Sequence, residues 1–212
     1  MKQLRAIRLP EPAQPMAIKD IAARLTETEK HSLSFAPWPA FPYRPDVQFS
    51  IAYREGSICL QYTVSEKDLQ AAYGKINEPV YQDSCVEFFI SFDEGATYYN
   101  FEFNCIGTVL AGYGKGRGDR QVLPESVLRK IDFLVSIQKG GEGIVRWELT
   151  VDLPLECFVF QPLRSLQGQQ CRANFYKCGD ALPQPHFLTW SMVQSESPDF
   201  HRPEFFGSLW FD

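Results

Sequence analysis

Two carboxylates lie on neighbouring period-two segments, Glu87 in residues 84–92 (SCVEFFISF) and Glu102 in residues 97–105 (TYYNFEFNC). The turn DEGA between them makes the pair read as an antiparallel hairpin. Successive strand residues point to opposite faces. One face therefore carries Val86, Phe88, Ile90, Phe92, Tyr99, Phe101 and Phe103, a continuous apolar set that must face a core. The other carries Glu87, Phe89, Ser91, Tyr98, Asn100, Glu102 and Asn104. Acids and carboxamides in a row suit a polyhydroxylated ligand such as a sugar, whose C–H faces also favour an aromatic platform. Two other readings stay open. A solvated outer sheet face has the same pattern. A glycoside hydrolase needs two carboxyls about 5–9.5 Å apart flanking the bond, and cross-strand neighbours already lie about 4.5–5.5 Å apart at Cβ, so proximity alone decides little.

Aromatic residues flank this face. Tyr81 lies in the loop EPVYQD directly before the Glu87 strand, and Trp190 lies in LTWSM. Either is a candidate platform, and either could instead fill a core, as a strand Trp usually does. No nucleophile elbow G-x-S-x-G is present, and only His31, His186 and His201 are available as bases, so no catalytic residue is assigned. The run GYGKGRG at 112–118 is followed by DRQV and not by a helix opening with Lys-Ser/Thr, so it reads as a flexible surface loop and not as a phosphate cradle. Six cysteines (59, 85, 105, 157, 171 and 178) occur without a C-x-x-C pair, which indicates neither a zinc site nor a redox motif. They read as small buried hydrophobes with free thiols, and metal ligands remain unassigned.

Residues 47–53 and 58–64 alternate around the turn REGS and form a further hairpin, with more strands expected at 133–138, 144–151, 171–178, 187–192 and 208–211. Short helical turns are expected at 65–72 and 124–130. Residues 1–45 read as irregular, with a short helix at 17–25 and a proline-dense stretch at 35–45 that forbids regular helix or central strand. That segment is expected to wrap the domain edge, anchored by Trp38 and Phe41. The expected fold is an all-β, antiparallel two-sheet β-sandwich of jelly-roll or immunoglobulin-like type, forming one domain over 1–212.

Composition narrows the partners. The net charge of −5 and pI near 5.3 disfavour nucleic acid, which needs a concentrated basic surface. No stretch approaches the ~20 apolar residues of a membrane span. Residues 1–10 lack the apolar run of a signal peptide, so the expected location is cytoplasmic unless a leader has been trimmed. Aromatics reach 14%, enough to fill sheet faces and still line a site.

Several segments in order resemble the family 9 carbohydrate-binding modules. Residues 81–90 (YQDSCVEFFI) resemble that family's Asp-Ser-x-Glu-x-Phe strand, and residues 101–104 (FEFN) its paired strand. Residues 147–155 (WELTVDLPL), 171–176 (CRANFY) and 200–207 (FHRPEFFG) complete the match over about 47–212. The resemblance implies a non-catalytic module that holds an oligosaccharide or polysaccharide end between two aromatic side chains. By position it makes Tyr81 one platform and Glu87 a hydroxyl-binding carboxylate, with Trp190 chosen as second platform and Glu102, Asn104 and Asn174 as further contacts. It also allows structural calcium, although no Asp-rich calcium loop is present. Characterised xylan binders of the family carry Trp at the first platform and a basic residue where this chain has Glu102, so the sugar is not carried across. The competing functions are a hydrolase using Glu87 and Glu102 and a protein-interaction sandwich.

Overall fold

Period-two alternation broken by Gly, Asp and Pro dictates strands, and the computed structural model, which describes residues 2–10, 16–141 and 143–212, is built mainly from them. In chain order these are β1 (Gln3–Arg8), β2 (His31–Ser32), β3 (Asp46–Arg54), β4 (Ser57–Glu66), β5 (Cys85–Ser91), β6 (Tyr98–Asn104) and β7 (Val109–Gly114). There follow β8 (Gln121–Val122), β9 (Asp132–Lys139), β10 (Val145–Pro154), β11 (Gln170–Cys178), β12 (Phe187–Thr189) and β13 (Gly207–Phe211). Two helices, α1 (Ile18–Thr26) and α2 (Glu125–Leu128), accompany them. Both expected hairpins form, β3–β4 turning at Gly56 with φ +85°, a left-handed conformation that glycine adopts without steric cost. The expected helical turn at 65–72 does not form, because β4 runs on to Glu66 and the chain beyond it is irregular.

The strands make two layers. One runs β8-β7-β6-β5-β11-β13 and the other β3-β4-β10-β9, each antiparallel throughout. β1 joins them: Gln3 to Ala6 pair parallel with Ser208 to Phe211 of β13, then Ile7 and Arg8 pair parallel with Ala52 and Tyr53 of β3. The first 45 residues are therefore not uniformly irregular, and the sheet is mixed where an antiparallel one was expected. Six residues, of which only Leu4 and Ala6 are buried, give too short a pattern to stand out, and their partners lie at the far end of the sequence.

Between the layers lies the main core. Phe49, Leu60, Tyr62, Trp147 and Leu149 meet Phe88, Ile90, Phe101 and Phe175 there, with Phe49 stacked on Phe175 at 3.9 Å between ring centroids. Each such side chain contributes about 1.5–3 kcal/mol by leaving water. A second aromatic cluster covers the outer face of the β5–β6–β11 layer. It gathers Trp38, Phe89, Tyr98, Tyr176, Phe200 and Phe206. Trp38 and Phe41 thus anchor the proline-dense segment, as expected, but on this outer cluster; the Trp38 indole N–H donates to Ser195 O at 3.1 Å. Consequently every residue of β5 and β6 is buried, on both faces. Among the described residues no helix is long and apolar enough to cross a membrane.

Candidate functional site

The β5–β6 register sets Glu87 directly opposite Glu102. Both carboxylates are 3% exposed, on the outer face, where the aromatic cluster leaves a gap. That gap is a small cavity of about 120 Å³, open to solvent at its mouth. Glu87, Glu102 and Cys178 meet Tyr81, Phe187, Phe200 and His201 in its lining, and Arg117, Arg120, Asp180, Pro198 and Asp199 complete it.

Each lining element has a local reason to be there. Tyr81 sits in the 3-10 turn Val80–Gln82, and its carbonyl accepts a hydrogen bond from the Asp180 N–H at 3.1 Å, which pins the loop to the end of β11. Arg117 and Arg120 come from the glycine-rich segment. It is not the loose loop expected at 112–118: β7 continues through Gly114, and the turn beyond is closed by Asp119 Oδ1, which accepts the N–H groups of Lys115 at 3.1 Å and Gly116 at 2.8 Å. Glycine is required at 114, where a Cβ would lie 2.9 Å from Arg120 Cα. His201 is held by the Tyr98 hydroxyl at 2.9 Å from its Nδ1 and packs over Phe89 at 5.0 Å.

The electrostatics follow from burial. Removal from water raises the Glu87 pKa well above the carboxylate range, and the facing Glu102 raises it further. Burial likewise lifts Glu102 to about 7, against the pull of Arg120, whose Nη1 lies 3.6 Å from Oε1. Oε1 also accepts the Asn100 amide at 2.9 Å. Glu102 Oε2 and Asn100 Oδ1, by contrast, are buried acceptors without a hydrogen-bond partner. Buried polar atoms are almost always satisfied. Glu102, which lines the cavity, therefore offers an acceptor to an incoming donor.

Of the residues singled out from sequence, Tyr81, Glu87 and Glu102 are brought together. The other three are placed elsewhere. Trp190 is 2% exposed, in the main core, edge-on to Phe175 at 5.6 Å, and Gly207 is pressed so closely against its ring that a Cβ would lie 2.4 Å away. It has no face left for a ligand. Asn104 spends its amide on Tyr73 O at 2.8 Å and Asp83 Oδ2 at 2.9 Å, and its carbonyl on the Thr108 N–H at 2.9 Å. Asn174 bridges the N–H and C=O of Ser191 at 2.8 and 3.0 Å. Both amides order backbone, because fully buried carboxamides must find partners and loop backbone supplies them.

Sequence reasoning did not identify Arg117, Arg120, Phe187, Phe200 or Cys178 as site residues. The glycine-rich stretch was the one signal for the arginines. Among the described residues, one group has metal-ligand spacing: Cys85, Glu87 and Cys178, whose ligand atoms lie within 4.8 Å of one another. Its two thiols do not suit calcium, which takes six to eight oxygens.

A mostly β sandwich with a carboxylate-floored, aromatic-walled cavity on its outer face defines a binding-domain class. The chain belongs to carbohydrate-binding family 9, whose model matches residues 18–211. Among solved structures it is similar to a protein from Bacteroides uniformis provisionally assigned to carbohydrate binding, with 36% identity over 100% of this chain and 99% of that one and a TM-score of 0.91. It shares its fold with a family 9 carbohydrate-binding module from Caldicellulosiruptor kristjanssonii. The glucose complex of that module matches at a TM-score of 0.60 and 14% identity, covering 100% of this chain and 96% of that one. Its cellotriose complex matches at 0.60 and 13%, covering 99% and 93%. Among curated proteins, none matches the chain.

Proposed function

We propose that the chain is one non-catalytic carbohydrate-binding domain that receives a sugar unit, or the end of an oligosaccharide or polysaccharide, in the cavity over Glu87 and Glu102. The observation that carries this reading is Glu102 Oε2, a buried acceptor with no hydrogen-bond partner among the described residues, on a side chain that lines the cavity beside Glu87. Such an atom calls for a donor, and a sugar hydroxyl supplies one. Tyr81, half-buried at the wall, offers its ring to the C–H face of the sugar, with Phe187 and Phe200 as further apolar wall. Family membership supports the ligand class. Binding is favoured over hydrolysis because Glu87 and Glu102 are neighbours on one floor, whereas a hydrolytic pair flanks the bond to be cut.

Glucose and cellotriose, the ligands of the structurally similar module, are the first probes, followed by a broad glycan panel. Calorimetry should show saturable binding. Tyr81→Ala should weaken it by about 1–3 kcal/mol, as loss of a stacking ring does elsewhere. Glu102→Gln, which turns one acceptor into a donor, should weaken it at unchanged circular dichroism. No binding across the panel by folded protein, or release of reducing sugar, would overturn the reading.

A further inference from the structure

We propose that Cys85, Glu87 and Cys178 form a site for one thiophilic divalent cation of the zinc type, with a coordination position open to the cavity. The three are brought together by register. Cys85 and Cys178 are direct partners across β5 and β11, and Glu87 lies two residues along β5 on the same face. Their ligand atoms fall within 4.8 Å of one another, and the Cys178 thiol already donates to Glu87 Oε1 at 3.0 Å. Tetrahedral zinc with two sulfurs and a carboxylate oxygen needs donor atoms roughly 3.3–3.8 Å apart, a small adjustment of this arrangement. None of the other four cysteines belongs to such a group among the described residues.

The donor set fixes the chemistry. Two thiolates and one carboxylate select a borderline-soft ion over calcium or magnesium. Binding replaces two S–H bonds and the Glu87 O–H bond with three bonds to the metal and releases three protons to solvent. The three anionic ligands and a dication leave one net negative charge, and Arg117 and Arg120 line the same cavity. Cys178 and Glu87 reach the cavity wall, which gives the ion an entry path and leaves the fourth position to water or to an oxygen of a bound molecule.

The test uses reduced, chelator-treated full-length protein titrated with Co²⁺ and then Zn²⁺. The expected result is one ion per chain, a thiolate-to-cobalt charge-transfer absorption that zinc abolishes, and release of three protons per ion. Cys85→Ser and Cys178→Ser should remove the absorption, and Cys171→Ser should keep it. Glu87→Gln preserves shape and both thiols, so it serves even if a serine variant fails to fold; it should weaken affinity more than about tenfold, the lower range for loss of a mere outer-sphere partner. Absence of stoichiometric uptake by the reduced protein, or uptake unchanged in folded Cys178→Ser, would overturn the site. Sugar binding measured on the same chelator-treated protein separates this outcome from failure of the carbohydrate reading.

Discussion

At the residue scale, the side chains around the cavity divide by what their polar atoms already hold. Glu102 keeps one oxygen without a partner, whereas Asn104 and Asn174 have satisfied theirs on backbone and on Asp83. Substitutions should divide the same way. Asn104→Ala leaves the Thr108 N–H and Asp83 under-satisfied and should cost about 1–3 kcal/mol of stability, seen as a lower denaturant midpoint. Trp190→Ala should cost about 3–5 kcal/mol by opening a cavity against Phe49 and Phe175. If Trp190→Ala instead unfolds at the wild-type midpoint and loses only sugar binding, its placement in the core is wrong.

At the scale of elements, β1 does most to set the architecture, since it pairs with β13 in one layer and β3 in the other. Its end is packed tightly: a Cβ on Gly207 would lie 2.9 Å from Lys2 O as well as against the Trp190 ring. Gly207→Ala should therefore overpack the junction of β1, β13 and Trp190, costing about 1–3 kcal/mol in chemical denaturation, with the sugar site unaffected in the protein that remains folded. The β7–β8 connection matters for function in a different way. It is tight because Asp119 caps it, and tightness is what delivers Arg117 and Arg120 to the cavity.

Across the whole molecule, a buried polar cluster ties the two layers together. Lys177 of β11 meets Glu66 of β4 at 2.9 Å with both side chains fully buried, and the Trp147 indole of β10 donates to the other Glu66 oxygen at 2.6 Å. Lys177 also donates to His186 Nε2 at 2.8 Å, while His186 Nδ1 contacts Gln184 O at 2.9 Å, so the neutral tautomer protonated on Nδ1 suits both contacts. Lys177→Met would strand Glu66 and should cost about 3–5 kcal/mol, far more than an exposed ion pair. Burial, then the Lys177 charge, depress the His186 pKa from 6.5 to about 3. The folded state thus keeps His186 neutral while the unfolded chain takes up a proton. Its contribution is present above pH 6.5 and is lost as pH falls from there towards about 3. The slope is about 1.4 kcal/mol per pH unit for one proton. In His186→Gln, stability against pH over that window should flatten by one proton; an unchanged slope would show that His186 does not titrate on unfolding.

Alternation along residues 84–105 was enough to separate a core face from a polar face, to pair Glu87 with Glu102, and, with the ordered family motifs, to define the ligand class. Those are properties of nearest neighbours and period, which a linear sequence carries in full. Burial is not. Whether Trp190 is platform or core, and whether Asn104 and Asn174 face a ligand or a loop, depended on what packs over each strand. That covering comes from elsewhere in the chain: Phe49, Phe175 and Gly207 for Trp190, the loop carrying Tyr73 and Asp83 for Asn104, and Ser191 for Asn174. The short β1, pairing with segments about fifty and two hundred residues away, and the arrival of two arginines from a glycine-rich turn were likewise decided only in three dimensions. So was the meeting of Cys85 with Cys178, because a cross-strand register between β5 and β11 leaves no spacing signal in the sequence.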